Sequence, residues 1–415
     1  MIPDSKIKET QIKHNLIDEK TIGKLIDVDN AYRITKKLAF PRLVGSKGEI
    51  KANIIVVDEF KNAGYESISR DTFRTSLHIW IFIRYIFLIL GSGLILLALS
   101  FYLSPFLTIG ITVINIYFSS RALKVSTSTE IKLSRNETYN FNTENLFVNL
   151  KSRNSKSKIV FMGHWDSKSQ SFPTSIRIVI FLTFILGSAI LHLLYIILCI
   201  LRIFFNFNLP FVPNILLDAC LIIASIGVLN YFNKTGNDSN GAYDNAAAVG
   251  VLVELARYYK ENPLNNIDLV FLSTGSEELN LGGAIHFIKK YKDDFDKSST
   301  YFINLDLVGG SDVIRLTSSY GIPRKISSNK LNNSFLKSAE ELKIKIKDIY
   351  SPTGVWSDFM PIVQEGFEAC WLGSEPGLKF VHTVKDNMNL VSKKGIRNIL
   401  FLCKDVTEKL DKEFN

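Results

Sequence analysis

Four apolar blocks constrain this chain more than anything else in it. Residues 79–103, 106–118, 178–201 and 211–232 are almost wholly hydrophobic, broken mainly by Arg84, His192 and Asp218. A helix needs about 20 such residues to cross a bilayer core about 30 Å thick. The first, third and fourth blocks reach that length. The second is short, but a single helix from Tyr85 to Phe118 would run roughly 50 Å, too long for one crossing. A turn at Ser104-Pro105 and two passes fit better, so the pattern predicts four spans in two hairpins. Each hairpin returns the chain to its starting side. Residues 1–78, 121–175 and 233–415 then share one compartment and are expected to fold together as one domain. Hairpins at 79–120 and 176–232 interrupt it.

Charge indicates the side. Arg70, Arg74, Arg84, Arg121, Lys124, Lys168, Arg177 and Lys234 flank the blocks on the shared side, against only Arg202 opposite. Positive charge stays cytoplasmic, so the chain reads as a multi-pass protein of the lipid bilayer with its polar domain in the cytoplasm. The polar, charged residues 1–78 do not read as a secretory leader. Membrane-flanking bias and a lysine-rich surface account for the net charge of +9, and no nucleic-acid partner is expected. Four cysteines in 415 residues exclude a disulfide scaffold. Ionisable residues inside spans are functional candidates. His192 and Asp218 lie at similar distances from a turn near Phe205 and are expected to face each other and pair.

Outside the blocks, strand and helix patterns alternate. Residues 158–162, 267–272, 301–308 and 369–372 read as short buried strands, and 245–259, 282–291 and 395–410 as amphipathic helices. Such alternation predicts an α/β domain with a mostly parallel mixed sheet flanked by helices. Ligands in such sheets bind beyond the carboxyl ends of the strands. Most of the segments run into an acid or a histidine: Gly163-His164-Trp165-Asp166-Ser167, Gly241-Ala242-Tyr243-Asp244-Asn245, Ser276-Glu277-Glu278, Asn304-Leu305-Asp306 and His382-Thr383-Val384-Lys385-Asp386. Imidazole and carboxylate donors at strand ends suit zinc, particularly paired zinc bridged by a carboxylate. Asp386 reads as a cap of the His382 loop, and His14, His78 and His286 as surface or packing residues.

The order and local sequence of these motifs resemble the M28 metallopeptidases, the dinuclear zinc aminopeptidases. Gly45-Ser46-Lys47-Gly48, residues 52–60 and Ala63-Gly64-Tyr65-Glu66 resemble the family's opening segment, and Ser357-Asp358-Phe359-Met360-Pro361 a late substrate-side loop. The resemblance implies two Zn2+ ions, with cobalt or manganese as other candidates. His164 and Asp306 would complete one site, Glu278 and His382 the other, and Asp244 would bridge them. Glu277 would be the general base for a metal-activated water. Asp166 would orient His164 through its far nitrogen, and Ser357 and Asp358 would line the substrate side. The implied reaction is removal of N-terminal residues from peptides. Two departures stand out. The third and fourth blocks separate His164 from Asp244, which soluble relatives hold close together, so the site is expected near the membrane surface. Phe359 stands where many relatives carry His after Ser-Asp. Glutaminyl cyclases share the fold and an HxDS-type motif, and a non-catalytic receptor or scaffold is the other alternative. Glu278-Leu-Asn-Leu-Gly-Gly favours the peptidase, and the complete ligand set argues against a scaffold.

Overall fold

The computed structural model describes residues 25–126, 130–206, 210–352 and 356–414; His14 lies outside the described residues. In chain order the chain forms helices α1 (Val28–Leu38) and α2 (Lys47–Asn62), strand β1 (Ser69–Ser76), and helices α3 (His78–Leu103) and α4 (Pro105–Ser126). Strands β2 (Asn140–Leu150), β3 (Ser157–His164) and β4 (Ser169–Gln170) precede helices α5 (Thr174–Phe205) and α6 (Val212–Leu229). Next come β5 (Thr235–Gly236), α7 (Ala247–Glu261), β6 (Ile267–Thr274), α8 (Gly282–Tyr291) and strands β7 (Thr300–Leu305), β8 (Ile314–Tyr320) and β9 (Lys325–Ile326). The chain closes with α9 (Asn329–Glu341), β10 (Ile346–Ser351), α10 (Phe359–Gln364), β11 (Glu368–Ser374) and α11 (Lys393–Glu413).

A nine-stranded sheet runs β1-β2-β6-β3-β7-β11-β8-β10, with β9 beside β8. Its middle strands β6, β3, β7 and β11 are mutually parallel. Every residue of β6 and β7 is buried, as expected of parallel strands covered on both faces, which read as continuous apolar runs. Helix α7 packs on β3 and β6 with α1 and α11 beside it, and α8 and α10 form a second group against β2, β7 and β11. The mixed α/β sheet of the sequence analysis is the architecture observed.

Both apolar insertions leave and re-enter through paired strands. Ser76, at the end of β1, lies opposite Asn140, at the start of β2. Gln170 in β4 lies opposite Thr235 in β5. Strand β1 is antiparallel to β2, and β2 to β6, so β1 points the same way as β6. The first insertion therefore departs from the carboxyl edge of the sheet, where the hydroxyls of Thr75 and Ser276 share a 2.7 Å hydrogen bond.

Helices α3, α4, α5 and α6 pack as a bundle around Leu94, Leu97, Phe101, Leu191, Tyr195, Cys199 and Cys220. Small residues bring the helices together: a Cβ at Gly91 would stand 3.3 Å from the Ala224 carbonyl. The outer surface is apolar, with Leu103, Val179, Ile215 and Ile222 each more than 60% exposed. Among the described residues, three helices, His78–Leu103, Thr174–Phe205 and Val212–Phe232, are long and apolar enough to cross a membrane. Helix α4 is not among these three, so three candidate spans are shown and the expected fourth is not. His192 and Asp218 also do not pair. Asp218 is exposed on α6. His192 Nδ1 donates to the Ser188 carbonyl at 2.7 Å, and its Nε2 accepts from Asn115 Nδ2 at 3.2 Å. Asn115 also donates to the Gly93 carbonyl. The nearer polar partner of His192 comes from α4, not from α6.

Candidate metal centre

The fold gathers the predicted residues at the carboxyl edge of the parallel strands. His164 ends β3, Glu277 and Glu278 follow β6, Asp306 follows β7, and His382 lies in the loop after β11. Asp244 arrives on the turn that re-enters from β5. That turn needs Gly241, whose φ is +53°: a Cβ there would stand 2.5 Å from the Asp244 carbonyl and 2.6 Å from Ser167 Cβ. Only glycine adopts this backbone in that space without strain.

Asp244 divides its two oxygens between two groups. Oδ1 is 3.1 Å from His164 Nε2, and Oδ2 is 3.3 Å from His382 Nε2. Asp306 Oδ1 lies 3.7 Å from the same nitrogen of His164, and Glu278 Oε2 lies 3.0 Å from that of His382. His164, Asp244 and Asp306 thus form one convergent triad, and Asp244, Glu278 and His382 another. Within them, His164 Nε2, Asp306 Oδ1 and Glu278 Oε1 are buried without a hydrogen-bond partner. Buried polar atoms are seldom left so. Orphaned donor atoms aimed at common points, from a set of only nitrogen and oxygen, fit divalent cations at both triads. Glu277 belongs to neither triad, and its Oε2 stands 3.8 Å from His164 Nε2.

The supporting residues hold backbone as much as side chains. Asp166 accepts the backbone N–H groups of both Glu277 and Glu278 at 3.1 Å. Its carboxylate is 3.4 Å from His164 Nδ1, and its own carbonyl is nearer, at 3.2 Å. The expected orienting contact is therefore long, and the stronger bonds fix the Glu-Glu turn. Asp386 accepts the N–H groups of Tyr243 and Asp244 at 2.7 and 3.1 Å, a cap on the turn that carries the shared carboxylate. Ser357 donates to Asp306 and accepts from Asn304. Asp358 accepts from Thr274. Both Ser357 and Asp358 are fully buried: Ser357 supports the Asp306 carboxylate, and Asp358 the Thr274 hydroxyl at the end of β6. His78 stacks on Phe82, and His286 stacks on Phe73 beside Asp71.

Three groups of contributors escaped the sequence reading. Arg42 is fully buried and donates to the carbonyls of Trp165, Leu38, Asn240 and Gly241. It clamps the His164–Ser167 loop to the turn before Asp244. Lys168 lies 2.9 Å from Glu278 Oε2, and its place directly after His-x-Asp-Ser was the one available signal. Helices α3 and α5 also reach the site through their first turns. Trp80 donates from Nε1 to the Glu278 carbonyl at 2.9 Å. His382 Nδ1 has Gln170 Oε1, Thr174 Oγ1 and Arg177 Nη2 within 3.2 Å. A proton shared with Gln170 would leave His382 Nε2 free to ligate, the usual outer arrangement of a metal-binding histidine.

Carboxylates dominate the electrostatics. Burial opposes charge on His164, yet Glu277, Asp166, Asp244 and Asp306 outweigh it and raise its pKa well above the ordinary imidazole value. Burial raises Glu277 well above the usual carboxylate range, aided by Glu278, Asp306 and Asp358 and opposed by His164. Burial would raise Glu278 too, but His382 and Lys168 pull it down to about 2. Neighbouring carboxyls thus differ in proton affinity, a pattern typical of sites with assigned acid and base roles.

Residues 225–407 match the model of Peptidase family M28, a stretch that holds Asp244, Glu277, Glu278, Asp306 and His382 but not His164. Aminopeptidase YwaD of Bacillus subtilis strain 168 is 29% identical over 164 residues. That match covers 38% of this chain and 35% of the relative, so the chain spans about a third of the curated protein's length. Among solved structures, the aminopeptidase from Aneurinibacillus sp. strain AM-1 superposes with a TM-score of 0.53 at 15% identity, over 94% of this chain and 95% of that one. The zinc aminopeptidase BSAP from Bacillus subtilis gives 0.51 at 13%, over 93% and 96%. A glutaminyl cyclase from an Acidobacteriales bacterium gives 0.53 at 14%, over 94% and 96%. Aminopeptidases and cyclases are equally near by shape, so at these identities the likeness is one of fold. The sequence match is the more specific of the two, and it sets residues 225–407 against Peptidase family M28.

Proposed function

We propose that the chain is a membrane-embedded zinc aminopeptidase that removes N-terminal residues from peptides. One observation carries this reading: Asp244 points one oxygen into each of two cation-fitting triads, with Glu277 beside them and free of both. His164, Asp306 and Asp244 would hold one zinc, and Asp244, Glu278 and His382 a second. Bound zinc would supply Lewis acidity toward the scissile carbonyl and acidify a water. Glu277 accepts the proton from that water and delivers it to the departing amine. Its raised proton affinity suits both halves of that transfer. Asp166 holds the Glu277 and Glu278 backbone so that adjacent side chains take separate directions.

The same reading sets the α3–α6 bundle in a bilayer. Support comes from three helices of sufficient length and apolarity and from the apolar outer skin, which has no place in water. Departure of the first insertion from the carboxyl edge favours a catalytic cleft close to the lipid surface. Arg202 stands alone at the far end, donating to the Phe101 carbonyl, and the charge asymmetry favours a cytoplasmic cleft.

The test is product analysis by mass spectrometry. Full-length protein in detergent with zinc is given peptides with free, acetylated and Gln-initiated N-termini, beside a Glu277→Gln control. Stepwise loss of single N-terminal residues, stopped by acetylation, by chelator and by the substitution, is the expected result. Loss of ammonia from Gln peptides alone would replace the reading with a cyclase, and unchanged peptides from metal-loaded protein would sink the enzyme assignment.

A further inference from the structure

The two triads sit in unequal surroundings. Around His164 and Asp306 stand further carboxylates: Asp166 at 3.4 Å and Glu277 at 3.8 Å from the His164 ring nitrogens, with Asp358 next to Ser357, the donor to Asp306. Around Glu278 and His382 stand two cations. The Lys168 ammonium is 2.9 Å from Glu278 Oε2, the same oxygen that lies 3.0 Å from His382 Nε2. It also donates to the Glu278 carbonyl at 3.2 Å and rests 4.2 Å from the centroid of the Trp80 ring. The Lys168 side chain is 5% exposed, so solvent screens this charge little. Arg177 Nη2 is 3.2 Å from His382 Nδ1.

We propose that Lys168 makes the two metal positions unequal, offsetting as a resident ammonium the charge of the Glu278 carboxylate that a second ion would use. This rests on the metallopeptidase reading. The carboxylate-rich triad of His164, Asp244 and Asp306 fills first and tightly. The triad of Asp244, Glu278 and His382 fills second, against a fixed positive charge a few ångströms away. A unit charge at that range opposes a divalent ion strongly even at an effective dielectric constant of about 20. Arg177 adds to the effect from the other side of His382, and Trp80 holds the ammonium in place through its ring face.

The sign of one substitution separates this from simple support. A lysine that merely orients Glu278 would, when removed, weaken metal binding, as loss of outer partners does by about 10–100-fold. Removal of a lysine that offsets the Glu278 charge would strengthen it. The experiment uses full-length protein in detergent, stripped with chelator and titrated with Zn2+ against a fluorescent competitor, then with Co2+ read by visible absorption. The wild type is expected to bind one equivalent tightly and a second at least tenfold more weakly. Lys168→Met should tighten the second equivalent at least tenfold and leave the first unchanged, while Lys168→Arg, which keeps the charge, should leave both as they were. Lys168→Gln offers the same readout if the Met variant unfolds. His164→Ala should remove the tight equivalent and His382→Ala the weak one. Two equal equivalents in the wild type, or a second equivalent that weakens or stays put in Lys168→Met and Lys168→Gln, overturns the proposal alone. No bound metal at all overturns it together with the metallopeptidase reading.

Discussion

At the scale of single residues, the division of labour in the centre is open to mutation. Glu277 touches neither triad's shared carboxylate, so Glu277→Gln should lower turnover by about 10²–10⁴-fold while zinc content, measured by atomic emission, stays at the wild-type level. Asp386 meets two N–H groups with two acceptor oxygens. An amide offers only one acceptor and turns a donor toward the other N–H. Asp386→Asn should weaken zinc binding by roughly 10–100-fold, as the loss of outer support does at other metal sites, read by competition with a fluorescent chelator. Arg42→Met should leave several buried carbonyls without donors and destabilise the fold by about 3 kcal/mol or more, measured by thermal unfolding in detergent. These residues also mark how far the sequence could be read. His164, Asp244, Glu277, Glu278, Asp306 and His382 each follow a legible strand or glycine turn and carry chemistry in their own side chains. Arg42 spends its guanidinium on backbone carbonyls, which leave no trace in residue identity. Ser357 and Asp358 are buried, and motif order alone does not distinguish a side chain that lines a cleft from one packed behind it.

Among the elements, the edge of the sheet and the bundle give the clearest tests. Asp71 of β1 is held by His286 at 3.1 Å and Lys290 at 2.5 Å, both on α8. Burial would raise its pKa, but these two partners outweigh burial and lower it. A depressed carboxylate contributes stability that is fully present above its unfolded pKa of about 4 and is lost as pH falls through the lower folded value. The melting difference between wild type and Asp71→Asn should therefore be full at neutral pH and shrink below about pH 4. In the bundle, a Cβ at Gly227 would stand 2.4 Å from the Phe184 ring. Gly227→Ala should cost about 1–3 kcal/mol through overpacking, seen as a lower melting temperature with zinc stoichiometry unchanged. Strands β3, β6, β7 and β11 were legible because burial on both faces makes them unbroken apolar runs. Strand β1, with the sequence SRDTFRTS, was not: its exposed positions alternate with buried ones, and half of a polar edge strand resembles a loop. Helix α4 turns Thr108, Thr112 and Asn115 into the bundle, an orientation that block length alone does not reveal.

For the whole molecule, metal and fold should be coupled. Zinc that binds only the folded centre stabilises it by mass action, at about 2.7 kcal/mol when free zinc is 100 times its dissociation constant. Chelation should lower the melting temperature of the wild type and have much less effect on His164→Ala. The closed stems β1–β2 and β4–β5 have a separate consequence. Each apolar insertion begins and ends on facing residues, Ser76 with Asn140 and Gln170 with Thr235. The catalytic sheet therefore does not register how far the chain travels in between. Among the described residues of the insertions, the first turns, with Trp80, Thr174 and Arg177, touch the centre. Beyond them the helices can lengthen or shorten at their far tips to suit a thicker or thinner bilayer while the distances around Asp244 stay fixed. Adaptation to a different membrane and adaptation to a different substrate can thus proceed in separate parts of one chain.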